Sequence, residues 1–170
     1  MGQQAGLVSN GRDAVERMKF LGWDLTFKTR EFAKRGLRTQ QDNRRLAPVV
    51  VETRRDAGQF QRILETLARL ELTEEFAFHE MVAEAGPHLP RSATVLAVVS
   101  HVSAESAAAL GSLKRRGYSV LALVVTFGEP EHPDWASPPE WGGRLLQEGV
   151  PFRPIADEAA ASRFCAECLV

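Results

Sequence analysis

Two apolar runs dominate the chain. Thr94–Val99 and residues 119–126 are rich in Val and Leu and nearly free of polar side chains. A run of that kind fits a strand buried on both faces, as in a parallel sheet. Between them, in residues 103–117, Ala107, Leu110 and Leu113 or Lys114 recur at helical spacing and give one apolar stripe. Ser103 is the expected N-cap, and Ser106 three residues on excludes a capping box. Lys114, Arg115 and Arg116 fall in the last turn, where cations meet the negative end of the helix dipole, and Gly117 is the expected stop. Strand, helix and strand with short joints predict a βαβ unit with a right-handed crossover. Ligands of such sheets bind beyond the carboxyl ends of the strands. That places Ser100, His101 and Ser103 after the first strand, and Phe127, Gly128 and Glu129 after the second, in the position to act.

The flanking pattern is more broken. Ala5–Ser9 reads as a short strand that ends in the turn signal Asn10–Gly11. Residues 12–20 read as a short helix, 23–27 as an edge strand and 28–45 as a polar loop or frayed helix. Residues 48–53 read as a strand that starts with Pro and so belongs at an edge. Asp56 opens the clearest helix, with Phe60, Ile63, Leu64, Leu67, Leu70 and Leu72 as its apolar face. Thr73 is read as the cap of a second helix, with Phe76, Met81 and Val82 inward and Gly86–Pro87 as the break. After the central βαβ come a loop at 128–138 and a helix from Pro139 to Gly149 with Trp141, Leu145 and Leu146 inward. A Pro-bearing edge strand at 150–155 follows, then a last helix capped by Asp157 and running to Cys168. The alternation from residue 48 onward predicts an α/β fold, a three-layer sandwich around a mainly parallel sheet, in a single domain spanning 1–170 with an irregular basic segment at 11–47.

Composition narrows the class. The chain has 170 residues, 44% hydrophobic and 25% charged, the balance of an ordinary soluble domain. No apolar run approaches the ~18–20 residues of a membrane span. The first residues lack the apolar core of a signal peptide. With two cysteines and no such leader, a reducing, cytoplasmic compartment is expected. Net charge is −1, yet residues 1–56 carry +5 and residues 57–170 carry −6. The basic third could bind nucleic acid. Its cations alternate with Glu and Asp, however, and no RNA-binding aromatic motif or helix-turn-helix accompanies them, so a solvated surface is the favoured reading.

Several segments in order suggest a family. AGLVSNGR, RLAPVVVETRRDAGQFQRILETLARLEL, LPRSATVLAVVS and RRGYSVLALVV resemble the C-terminal part of the bacterial domain-of-unknown-function-58 family. Those proteins carry a von Willebrand factor A-like domain and are often encoded beside MoxR-type AAA+ ATPases. The resemblance implies a Rossmann-like sheet ordered 3-2-1-4-5-6, and membrane-tethered full-length relatives. It also implies a metal-ion-dependent adhesion site, whose oxygen ligands suit Mg²⁺. That site needs Asp-x-Ser-x-Ser, and no such motif occurs here. Its Thr position falls near Gly58–Gln59 and its Asp position at Ser100–His101. No metal and no cofactor is therefore expected. On this comparison the chain starts at the second strand of the fold, with the first strand missing. The expected contact surface is the apical end: Asn10, Gly11, Gln59, Ser100, His101 and Ser103. The expected function is a non-catalytic protein-interaction module acting with a MoxR-type AAA+ ATPase.

Two other readings stay open. The chain could be a small α/β enzyme using Ser100, His101 or the Cys165/Cys168 pair. Adjacent residues at a strand end point to opposite faces, and no Gly-x-Ser-x-Gly elbow is present, which weighs against a Ser–His pair. Cys165 and Cys168 lie near the C-terminal end of the last helix and not at a helix N-terminus, where thioredoxin-type chemistry places its Cys-x-x-Cys, so two half-buried structural thiols are favoured over redox chemistry. The acidic loop around His132 reads as solvated, and Trp135 and Trp141 as a cover for the core. Nucleic-acid binding by the basic third is the other reading. The missing strand carries its own expectation. In the family order it separates Ala5–Ser9 from Thr94–Val99, and an open gap would leave unpaired backbone groups at roughly 1–3 kcal/mol each. Ala5–Ser9 is expected to close up and pair with Thr94–Val99; the alternatives are a strand-swapped homo-oligomer, and a loosely docked N-terminal third that leaves Thr94–Val99 as an exposed, aggregation-prone edge.

Overall fold

The computed structural model of the chain describes residues 4–14, 47–73, 76–126 and 138–167. It is a mixed α/β protein with a small parallel three-stranded sheet and, among the described residues, five α-helices. The chain divides into two compact units, Met1–His88 and Leu89–Val170.

In the N-terminal unit, β1 (Ala5–Ser9) runs antiparallel to β3 (Val49–Arg54), with Leu7 opposite Val51 and Val8 opposite Val50. The two-residue strand β2 (Arg12–Asp13) pairs antiparallel with β4 (Leu70–Glu71). Arg12 and Asp13 are thus extended and not helical; residues 15–45, with the remaining helix, strand and loop expectations, lie outside the described residues. Helix α1 (Gln59–Arg69) starts three residues after Asp56, whose carboxylate accepts the Gly58 N–H at 2.8 Å and forms the turn that leads in. It ends at Arg69, because Leu70 adopts ψ 129° and joins β4. Helix α2 (Phe78–Ala85) starts later than the Thr73 cap suggested. Ala77 has the N-cap position, and the Glu80 carboxylate accepts its N–H at 3.0 Å. Phe76, Met81 and Val82 are buried as expected, and a 3₁₀ turn at Gly86–His88 ends the unit.

The apolar stripe of α1 does not bury as its spacing suggested. Gln59 and Thr66 are its buried residues, while Phe60 is 70% exposed, and Leu64 and Leu67 are also exposed. The helix turns its polar side to the strands. On that side a buried amide bridges the strands: the Gln59 Nε2 donates to the carbonyls of Ala5 (2.7 Å) and Glu52 (2.8 Å), one on each strand of the β1–β3 ladder.

The C-terminal unit follows the β-α-β pattern. It runs β5 (Thr94–Val99), α3 (Ala104–Arg115), β6 (Ser119–Val125), α4 (Pro138–Gln147), β7 (Phe152–Ile155) and α5 (Glu158–Glu167). The strands are all parallel in the order β5-β6-β7. Pro154 sits on the edge strand, where its missing N–H costs no ladder bond. Both connecting helices stop in the same way. Gly117 (φ 95°) and Gly149 (φ 70°) take up the left-handed conformation, and the next residue's N–H returns to a carbonyl of the last turn: Tyr118 to Leu113 at 3.2 Å and Val150 to Leu145 at 2.8 Å.

One register row explains the packing. Ala97, Ala122 and Phe152 lie side by side on one face of the sheet. The Phe152 ring meets Trp141 of α4 edge-on, with centroids 5.0 Å apart. A Cβ on Gly142 would lie 2.9 Å from that ring, so the helix backbone needs glycine to approach so closely. Helix α3 lies beside α4, tied by the Arg115–Glu148 ion pair at 2.5 Å and a hydrogen bond from the Lys114 ammonium to the Gly149 carbonyl. Both helices therefore cover the same face, as two right-handed crossovers in one direction require. Leu110, Leu145, Val102, Val124 and Val150 are the most completely buried large side chains. Leu146 points out, 64% exposed, against its expected inward place. On the other face of β5, Leu96 and Val98 are 48% and 60% exposed.

The closing-up expectation fails. Ala5–Ser9 pairs with Val49–Arg54, and among the described residues Thr94–Val99 pairs with β6 alone. The backbone groups of β1 find their partners within their own unit, so no slide toward β5 is needed. A mainly parallel sheet holds for the C-terminal unit; the two N-terminal ladders are antiparallel.

Two stability outcomes follow. Leu145→Ala should cost about 2–5 kcal/mol in urea unfolding, and Leu146→Ala less than about 1 kcal/mol; equal losses would contradict the burial assigned to this helix. Ser92 has φ 67° without being glycine. Ser92→Gly should raise stability by up to about 1 kcal/mol, since relief of the left-handed strain exceeds the added chain entropy of glycine. A lower unfolding midpoint for this variant would count against that backbone conformation.

Candidate functional site

At the carboxyl end of β5 the chain passes through Ser100, His101, Val102 and Ser103 into α3. Val102 is 2% exposed and fixes the joint from below. Its carbonyl accepts from the Arg144 guanidinium on α4 at 3.0 Å, so a second helix holds the loop from the side. The Ser103 hydroxyl accepts the Ser106 N–H at 3.1 Å and lies 3.1 Å from the Ser106 hydroxyl. This is the expected N-cap. Ser100 and His101 are left exposed on a joint pinned at three points. No hydrogen bond links His101 to any hydroxyl or carboxylate of the described residues. The pair presents an imidazole and a hydroxyl to solvent and forms no nucleophile–base contact.

The other three expected site residues lie in the N-terminal unit, where each has a structural task. The Asn10 side-chain amide donates to the Phe76 carbonyl at 3.1 Å and ties the end of β1 to the segment before α2. The Gly11 N–H donates to the Ser9 hydroxyl at 3.0 Å, and a Cβ there would come within 3.1 Å of the Glu71 carbonyl. Gln59 is the buried bridge already described. Three residues thus hold the N-terminal unit together, while Ser100 and His101 are the exposed ones at the end of the parallel sheet.

A groove of about 470 Å³ runs between β3 and α1, with Arg54, Arg62, Arg69, Glu52, Glu65 and Gln59 among its walls. Each arginine already faces a carboxylate: Arg54 on Glu52 at 2.9 Å, Arg62 on Asp56 at 2.9 Å and Arg69 on Asp13 at 3.4 Å. The hydrogen bond that Arg54 donates to the Glu52 carboxylate, with that group's negative charge, pushes the Arg54 pKa further up. Paired in this way, these cations give little free positive field for a polyanion.

Cys165 is exposed and not half-buried as expected, because α5 buries none of its residues. Cys168, Phe127, Gly128, Glu129, His132 and Trp135 lie outside the described residues. Trp141 packs against Phe152, in keeping with its expected place over the core. Among the described residues no three His, Cys, Asp or Glu side chains cluster as metal ligands would, and no helix is long and apolar enough to cross a membrane. The spacing of the chain gave no sign of the Arg144 pin or of the Asn10–Phe76 tie. Both join residues more than 40 positions apart, which local spacing cannot report. No protein-family model, curated protein or solved structure matches the chain.

Ser103→Ala should lower stability by about 1 kcal/mol through loss of the cap, and Ser103→Asp should restore most of it; identical behaviour of the two variants would rule out a capping role. Gln59→Leu leaves two strand carbonyls without their donor and should cost about 1–3 kcal/mol. Faster amide exchange confined to the N-terminal unit is the expected signature, and unchanged exchange there would contradict the bridge.

Proposed function

We propose that the chain is a non-catalytic protein-interaction module, a partial von Willebrand A-like domain that works with a MoxR-type AAA+ ATPase. The observation that carries this reading is the β5–α3 joint. Val102, Ser103 and Arg144 spend their bonding and burial on holding the loop still, while Ser100 and His101 are exposed at its tip. A fixed loop that presents unpaired side chains loses little conformational entropy on binding, which favours recognition. It also lies beyond the carboxyl end of a parallel strand, where ligands of α/β sheets bind. The finer fold reading, a three-layer von Willebrand A-like sandwich without its first strand, belongs to the same proposal. It draws support from the parallel β-α-β-α-β arrangement of the C-terminal unit and from the ordered sequence segments.

The contact role falls mainly on Ser100 and His101, since Ser103 is engaged as a cap and Asn10, Gly11 and Gln59 are engaged in the N-terminal unit. The test is co-purification with a MoxR-type AAA+ ATPase from the same genome. The wild-type chain should retain the ATPase. Ser100→Ala/His101→Ala should lose most of that retention at an unchanged unfolding midpoint, because neither side chain makes a structural contact. Absence of retention by the wild-type chain would overturn the ATPase partnership. Undiminished retention by the double variant would remove this loop as the contact surface.

A further inference from the structure

We draw no further inference here: the strongest candidate, the face of the β5–β6–β7 sheet that carries the exposed Leu96 and Val98, is an unpartnered apolar face, and nothing in the structure shows what covers it.

Discussion

The C-terminal unit depends on one geometric constraint. Two successive crossovers of the same hand, taken in the same direction, put α3 and α4 side by side on one face of the β5–β6–β7 sheet. Most of the local chemistry answers to that packing. Gly117 and Gly149 end the two helices with the same left-handed turn, so that each strand re-enters beside the last. Gly142 lets α4 come down onto Phe152. Lys114 and Arg115, at the cationic end of α3, reach the Glu148–Gly149 corner at the end of α4. Because α4 lies next to α3, Arg144 can reach the carbonyl of Val102 and hold the joint that follows β5. The loop with Ser100 and His101 is thus fixed by the same helix pair that makes the core.

The N-terminal unit is held by a different kind of force. Among the described residues it buries the apolar side chains Phe76, Met81 and Val82, whereas the other buried apolar side chains belong to the C-terminal unit. Hydrogen bonds do much of the joining. Gln59 spans the β1–β3 ladder, Asn10 ties β1 to Phe76, and Arg69 pairs with Asp13 across the β2 and β4 ends. A buried amide that loses its partners costs more than an average hydrogen bond contributes. Removing Gln59 while its surroundings stay closed would leave two strand carbonyls without that donor.

Six residues at strand and helix ends looked alike in the linear chain. Three have tasks inside the N-terminal unit, one caps a helix, and two are exposed. An interaction role and a structural role draw on the same polar residue types at the same kinds of position, and only the hydrogen-bond partners separate them. The groove beside α1 makes the same point, since Arg54, Arg62 and Arg69 along it each face a carboxylate.

The sequence by itself determined the elements whose causes are local. Continuous Val- and Leu-rich runs marked β5 and β6, glycine marked the ends of α3 and α4, Ser103 and Asp157 marked two helix starts, and proline marked β7 as an edge strand. Each depends on backbone geometry within a few residues, which composition and spacing report directly. Tertiary structure alone decided the rest. It decided that β1 pairs with β3, that Arg12–Asp13 is a strand because Leu70–Glu71 offers it a partner, and that α1 buries Gln59 while Phe60, Leu64 and Leu67 stay exposed. It also decided that Leu145 is buried while Leu146 is not. These outcomes depend on partners tens of residues away, and a periodic pattern states that a face is apolar without stating what will meet it.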